Sequence, residues 1–275
     1  MRWSTALVIA VSACREPAPP ARIASAPAPP PPAAPTPHAA PRNTVGLLAK
    51  ELDSPISRAN VSFSAPSFGE QIALANARSY GVRWVSSELD ADVLGVDVAL
   101  DGQRPRRLPA SVSSITLGLL ASEDEPLAVG KHWLFAAPVS ASGLVPRPRV
   151  GAPRSAVALE FLIADASSST REPAVPGSAH AGGALWLRQP AGTYNGPSSE
   201  QVLVDALAFA ENGASVATPC ALQVAGAASG ELDFPGPFLL FALLSGDYEF
   251  RASAASNALS AARFITVNRE LGGPK

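Results

Sequence analysis

Few side chains in this chain could do chemistry, and their placing limits what they could do. Among 275 residues there are three histidines, His38, His132 and His180, and two cysteines, Cys14 and Cys220. A serine nucleophile needs a base within hydrogen-bonding reach. His38 stands in a proline-rich run and His180 in a Ser/Pro/Gly-rich stretch, which leaves His132 as the one candidate. The sequence has no Gly-x-Ser-x-Gly elbow, phosphate loop, dinucleotide fingerprint or His-Glu-x-x-His pair. Two cysteines exclude an all-cysteine metal site and a disulfide-dense scaffold. Glu123-Asp124-Glu125, and Asp90 with Asp92, could offer carboxylates to calcium. Neither group has the ligand spacing of a calcium loop, so solvated acidic turns are expected. The expectation is a chain with no catalytic residue, no metal and no cofactor.

Binding is the remaining chemistry. Arg104, Arg106 and Arg107 follow the turn signal Asp101-Gly102 and form a basic arm. Such an arm could touch an anionic polymer or lipid headgroups, and it also suits a strand edge guarded by charge. Tyr194, in Gly192-Thr193-Tyr194-Asn195-Gly196-Pro197, is a second candidate contact; as an alternative it plugs one end of a folded domain. Asn-Gly-Pro there signals a turn. With 21 basic against 23 acidic residues the net charge is −2, so the clustered cations of a nucleic-acid surface are missing.

These residues must be placed by a delivery segment and a folded part. Arg2 is followed by Thr5 to Ala13, an uncharged stretch too short to cross a bilayer, which takes about 20 apolar residues, and of the size of a signal-peptide core. It ends in Val11-Ser12-Ala13-Cys14. These four residues resemble the bacterial lipobox. The resemblance implies removal of residues 1–13 and acylation of Cys14, with palmitate among the expected chains and a membrane as the first partner. Arg15 stands where enteric lipoproteins retained at the inner membrane carry aspartate, so the resemblance favours the outer membrane.

From Pro17 to Pro41, 11 of 25 residues are proline and nine are alanine. Proline fixes φ and removes amide donors, so residues 14–42 are expected to be a disordered, polyproline-II-like tether reaching about 80 Å at most. After residue 42 short apolar runs are broken by Gly, Pro, Ser and Asn. Leu47 to Leu52 and Gly69 to Arg78 suit at most short helices. Elsewhere the period is two. Val96, Val98 and Leu100 alternate with Asp97 and Ala99, and Tyr248, Phe250, Ala252 and Ala254 alternate with polar neighbours. Further strands are expected at Ala156 to Ile163, Val202 to Phe209, Cys220 to Val224 and Phe264 to Val267. Cys220 is expected to be buried in its strand. The Ser/Pro/Gly-rich stretch 166–182 separates segments 43–165 and 183–275, each near the size of a sandwich domain.

The halves echo one another. Gly130-Lys131-His132-Trp133-Leu134-Phe135 matches Gly246-Asp247-Tyr248-Glu249-Phe250, with Leu127 and Leu243 three residues before each glycine. Leu-x-x-Gly-x-Tyr-x-Phe at Leu243 to Phe250 resembles the late strands of immunoglobulin-like and transthyretin-like bacterial modules. The fold expected is therefore all-β, two tandem immunoglobulin-like β-sandwiches after the tether. The resemblance implies that Tyr248 packs at a sandwich corner and that His132, in the equivalent place, is structural. Phe250 departs from the immunoglobulin pattern by standing where a disulfide cysteine would be. The function expected is a non-catalytic binding or structural module of the cell envelope, with an envelope protein or polysaccharide as partner. The alternative is an accessory subunit or divergent enzyme whose site no motif reveals.

Overall fold

Nearly every alternating segment becomes a strand. The computed structural model describes residues 47–121, 127–165, 183–196, 201–217, 220–233, 237–241, 243–254 and 260–269. Cys14, the tether 14–42, the acidic run 123–125, the linker stretch 166–182, His38 and His180 lie outside these residues. Residues 41–275 form one unit.

Among the described residues the order is β1 (Leu48–Glu51), then β2 (Asn60–Ala65), β3 (Gln71–Ala73), a single turn α1 (Leu74–Ala77), β4 (Gly81–Ser87), β5 (Val93–Leu100) and β6 (Arg106–Pro109). The first half ends with β7 (Ser114–Thr116), a second turn α2 (Leu117–Leu120), β8 (Gly130–Ser140) and β9 (Val157–Ala164). The second half contains β10 (Ala184–Gln189), β11 (Tyr194–Gly196), β12 (Val202–Phe209), β13 (Ser215–Val216) and β14 (Cys220–Gly226). It closes with β15 (Gly230–Asp233), β16 (Phe238–Phe241), β17 (Gly246–Ala254) and β18 (Ser260–Arg269).

One topology is used twice. The first sandwich faces β2-β4-β7 with β3-β9-β8-β5-β6, and the second faces β10-β12-β16 with β11-β18-β17-β14-β15. In both, a three-residue strand runs parallel to the last strand, β3 beside β9 and β11 beside β18, and the other pairs are antiparallel. In both, a cis proline bond, Ala65–Pro66 or Gln189–Pro190, lies where the chain leaves one sheet for the other. This is an immunoglobulin-like arrangement, two sheets joined by strand crossovers around an inward-facing core. The echo of the sequence falls on β8 and β17, which hold the same place in the two sandwiches.

Three local expectations change. Leu47 to Leu52 is no helix: β1 lies antiparallel on β16, pairing Leu48 with Phe241 and Glu51 with Phe238, and Leu52 N–H donates to Pro237 O at 2.8 Å. Leu47 packs on the core of the second sandwich. The first described strand thus completes a sheet of the far domain, because an unpaired sheet edge outweighs the helix propensity of six residues. Of the helix considered at Gly69 to Arg78, only Leu74–Ala77 is helical, after β3. Asn195-Gly196 is likewise strand rather than turn, held by Asn268 Nδ2 donating to Asn195 Oδ1 at 2.8 Å.

Each sandwich has its own core, around Trp84, Leu134 and Phe161 in the first and Leu240, Tyr248 and Phe250 in the second. A third cluster belongs to both. Ala99, Phe135, Ala137, Val145 and Ala158 from the first half pack on Ala184, Trp186, Leu207 and Phe209 from the second.

Candidate functional site

The seam explains why β5 is buried on both faces. Val96, Val98 and Leu100 enter the first core, and Asp97 and Ala99 on the other face are covered by the second sandwich. Phe135 stacks on Trp186 at 5.3 Å between ring centroids and tilts against Phe209 at 5.5 Å. Burial of each such ring contributes roughly 1.5–3 kcal/mol. The backbones also meet, with Ala158 N–H donating to Gly213 O at 2.9 Å beside the Val157–Ala214 bridge.

Charge is buried with these rings. Arg188 of β10 has no solvent exposure, and it donates to Asp97 Oδ2 at 2.6 Å, to Asp205 Oδ2 at 2.8 Å and to Gly143 O at 2.6 Å. Arg154 pairs with Asp205 and with Ala206 O, and Arg107 brackets Asp97 at 2.9 and 3.1 Å. Burial by itself would lift the Asp205 carboxyl, but Arg154 and Arg188 override it and hold the group below the usual carboxylate range. Burial also opposes the Arg188 charge, and Asp205 and Asp97 more than compensate. Two carboxylates from different sandwiches therefore share one guanidinium away from water. Breaking such a set by removing one partner typically costs about 3–5 kcal/mol.

Beside the network the seam opens into a cleft of about 1080 Å³, lined from the first half by the turn Asp101–Arg106 with Leu120 and Ala121, and from the second by Ala262, Arg263 and Phe264. The turn is built as its sequence suggests: Asp101 and Gly102 have φ of 50° and 70°, and Gln103 N–H donates to Leu100 O at 2.8 Å. Arg263 reaches back across the seam, Nη2 donating to Gly102 O at 2.6 Å and to Leu187 O at 2.8 Å. Its Nε is buried with no partner among the described residues. Arg104 crosses in the other direction onto Gly192, where a Cβ would come within 3.2 Å of the Arg104 Cζ. Burial lowers the Arg263 pKa, Tyr194 opposes this, and nearby Arg104 lowers it further. Phe264 is 75% exposed at the lip.

The residues expected from sequence to bind separate accordingly. Arg104 and Arg106 line the cleft, and no carboxylate among the described residues pairs with either. Arg107 lies on the same edge strand but is turned to Asp97. Tyr194 packs on the second core, its hydroxyl accepting from Ala191 N–H at 3.3 Å. Asp90 accepts from Ser57 Oγ at 2.5 Å. Among the described residues no group of three or more His, Cys, Asp or Glu could hold a metal, and no helix is long and apolar enough to cross a membrane. β14 begins at Cys220, whose side chain lies outside the described set.

His132 is the one histidine among the described residues. Its Nδ1 lies 2.7 Å from Asp101 Oδ2 and its Nε2 2.9 Å from Ala128 O, and its ring stacks on Phe161 at 5.5 Å. Trp133 N–H donates to the other Asp101 oxygen at 2.8 Å. Both ring nitrogens face acceptors, so the doubly protonated form fits best. The Asp101 hydrogen bond raises the His132 pKa against the opposing effect of burial. Tyr248, in the equivalent place on β17, likewise reaches back four residues, its hydroxyl donating to Leu244 O at 2.9 Å. Both side chains pin a corner of their own sandwich.

Sequence reasoning missed Asp97, Arg188, Asp205, Arg263 and Phe264. Arg188 and Asp205 each carried a signal, a charged residue interrupting an apolar run.

No family model and no curated protein matches this chain. Among solved structures it is similar to the fibronectin(III)-like modules of Clostridium thermocellum CbhA, at 13% identity over 78% of this chain and 97% of that one, with a TM-score of 0.24. It is similar to the titin domains z1z2 in complex with telethonin, at 14% identity over 78% and 98%, TM-score 0.23. A third is apo Bacteroides uniformis beta-glucuronidase 3, at 13% identity over 77% of this chain and 25% of that one, TM-score 0.24. The fold assignment rests on the strand order and pairing described above.

Proposed function

We propose that this chain is a lipid-anchored module of a bacterial cell envelope that binds rather than catalyses. Its double sandwich, carried on a proline-rich stalk, presents the seam cleft to a ligand. The observation that carries the reading is the cleft at the seam, lined by Arg104, Arg106 and Arg263 beside an exposed phenylalanine. His132 supports the non-catalytic side, because both of its ring nitrogens are already engaged, one by Asp101 and the other by Ala128 O, within its own sandwich. Anchoring rests on the lipobox-like Val11-Ser12-Ala13-Cys14 and the stalk that follows it. The outer membrane is favoured by Arg15.

Labelled palmitate fed to cells making the full chain tests the anchor. Incorporation that is lost in Cys14→Ser, with the variant moving from the membrane to the aqueous phase of a detergent partition, is the expected result. A wild-type chain that takes up no label overturns the anchor.

A further inference from the structure

We infer that the seam cleft binds a sugar chain bearing oxyanions, the charged groups held by Arg104 and Arg106 and a ring face laid on Phe264. The inference rests on reading the chain as a binding module, and it names the ligand class of that cleft.

Charge comes first. Among the described residues three guanidiniums line the cleft, and the Asp101 carboxylate on its wall is already occupied by His132 and by Trp133 N–H. Arg104 and Arg263 line the same cleft, and burial first and then the Arg104 charge lower the affinity of Arg263 for a proton, so an anion held in the cleft eases that repulsion. A guanidinium fork matches both carboxylate and phosphate oxygens, and Arg stays charged at any working pH.

Shape and polarity then select among anions. About 1080 Å³ exceeds what a single small ion fills and lies at the upper end of ligand-pocket volumes. Among the described residues the apolar lining is Pro105, Leu120, Ala121, Ala262 and Phe264, too little to bury an acyl chain, which disfavours a lipid. Phe264, the one aromatic among the described lining residues, offers one platform, not the series of platforms on which single-stranded nucleic acid stacks. Alternating anionic groups and flat ring faces meet these demands together. The turn and β18 supply the two halves of the cleft, so the site exists only while the seam is closed.

Titration calorimetry on the full chain tests this with oligogalacturonate as the carboxylate source and a poly(glycosyl phosphate) as the phosphate source. Neutral dextran, ring-free polyphosphate and phosphatidylglycerol vesicles are the comparisons. Binding of at least one anionic glycan, none of dextran, and a fivefold or greater loss in Arg104→Ala and in Arg106→Ala support the inference. Phe264→Ala weakens the glycan by a similar factor and leaves ring-free polyphosphate unchanged. Circular dichroism confirms that these exposed-site variants fold. Failure of both glycans, glycan binding unmoved by the two arginine replacements, or vesicles bound through the same arginines more tightly than the glycans overturns it. A chain that takes no palmitate yet binds the glycan removes the anchor and leaves the site. An anchored chain that binds neither glycan removes the site and leaves the anchor.

Discussion

Arg188 Nη1 in the second sandwich lies 2.6 Å from Asp97 Oδ2 in the first, across 91 residues of sequence, and both side chains are shielded from water. The pair turns two sandwiches of like topology into one body. Sliding one domain on the other would leave that charge without its partner inside a seam that also holds the apolar cluster of Phe135 and Trp186.

Arg188→Met therefore lowers stability by about 3–5 kcal/mol, since it leaves two buried carboxylates short of one partner. Asp97→Asn is expected to cost less than Asp205→Ala, because the amide keeps an acceptor for Arg188. Urea midpoints measure these costs, and a double-mutant cycle between positions 97 and 188 isolates their coupling. Additive losses mean the pair does not join the domains.

Backbone contact gives a second handle on the same seam. Gly213 has φ of +79°, and a Cβ there would come within 1.9 Å of Ala158 O. Gly69, at +72°, has nothing within 4 Å. Gly213→Ala is expected to destabilise by about 2 kcal/mol or more beyond the loss in Gly69→Ala, which carries the conformational cost alone. Equal losses in the two variants show that the seam gives way at little cost.

The corner at His132 ties stability to pH. Its pKa in the folded chain is raised above the ordinary 6.5 by Asp101. Its contribution is therefore fully present below pH 6.5 and is lost as pH rises through the folded value. Wild-type stability minus that of His132→Phe is expected to shrink between pH 6 and 9, and long-range nitrogen NMR at pH 6 to show protons on both ring nitrogens. At the acid end the lowered Asp205 works in the opposite sense, its stabilisation being present above 3.8 and lost as pH falls through the folded value. A difference that stays flat from pH 6 to 9 contradicts the pairing with Asp101.

What could be read in the sequence was local. Alternation placed β5 and β17, Asp101-Gly102 placed a turn, and the Gly-x-His and Gly-x-Tyr echo placed two equivalent strands whose side chains reach back four residues. The destination of a segment could not be read the same way. Leu47 to Leu52 carries no mark that its partner is Phe238–Phe241 nearly two hundred residues on. Asp97 looks like the solvent face of a half-buried strand until the second sandwich covers it. The cleft was half visible: Arg104 and Arg106 stood out as a cluster, whereas Arg263 and Phe264 are scattered residues that acquire a role only when β18 meets the turn.

Differential scanning calorimetry of the full chain addresses the joined seam most directly. One endotherm, with calorimetric and van't Hoff enthalpies equal, is predicted for wild type, and two endotherms for Arg188→Met. Two independent transitions in the unaltered chain would contradict a single rigid unit and, with it, a cleft built from both sandwiches.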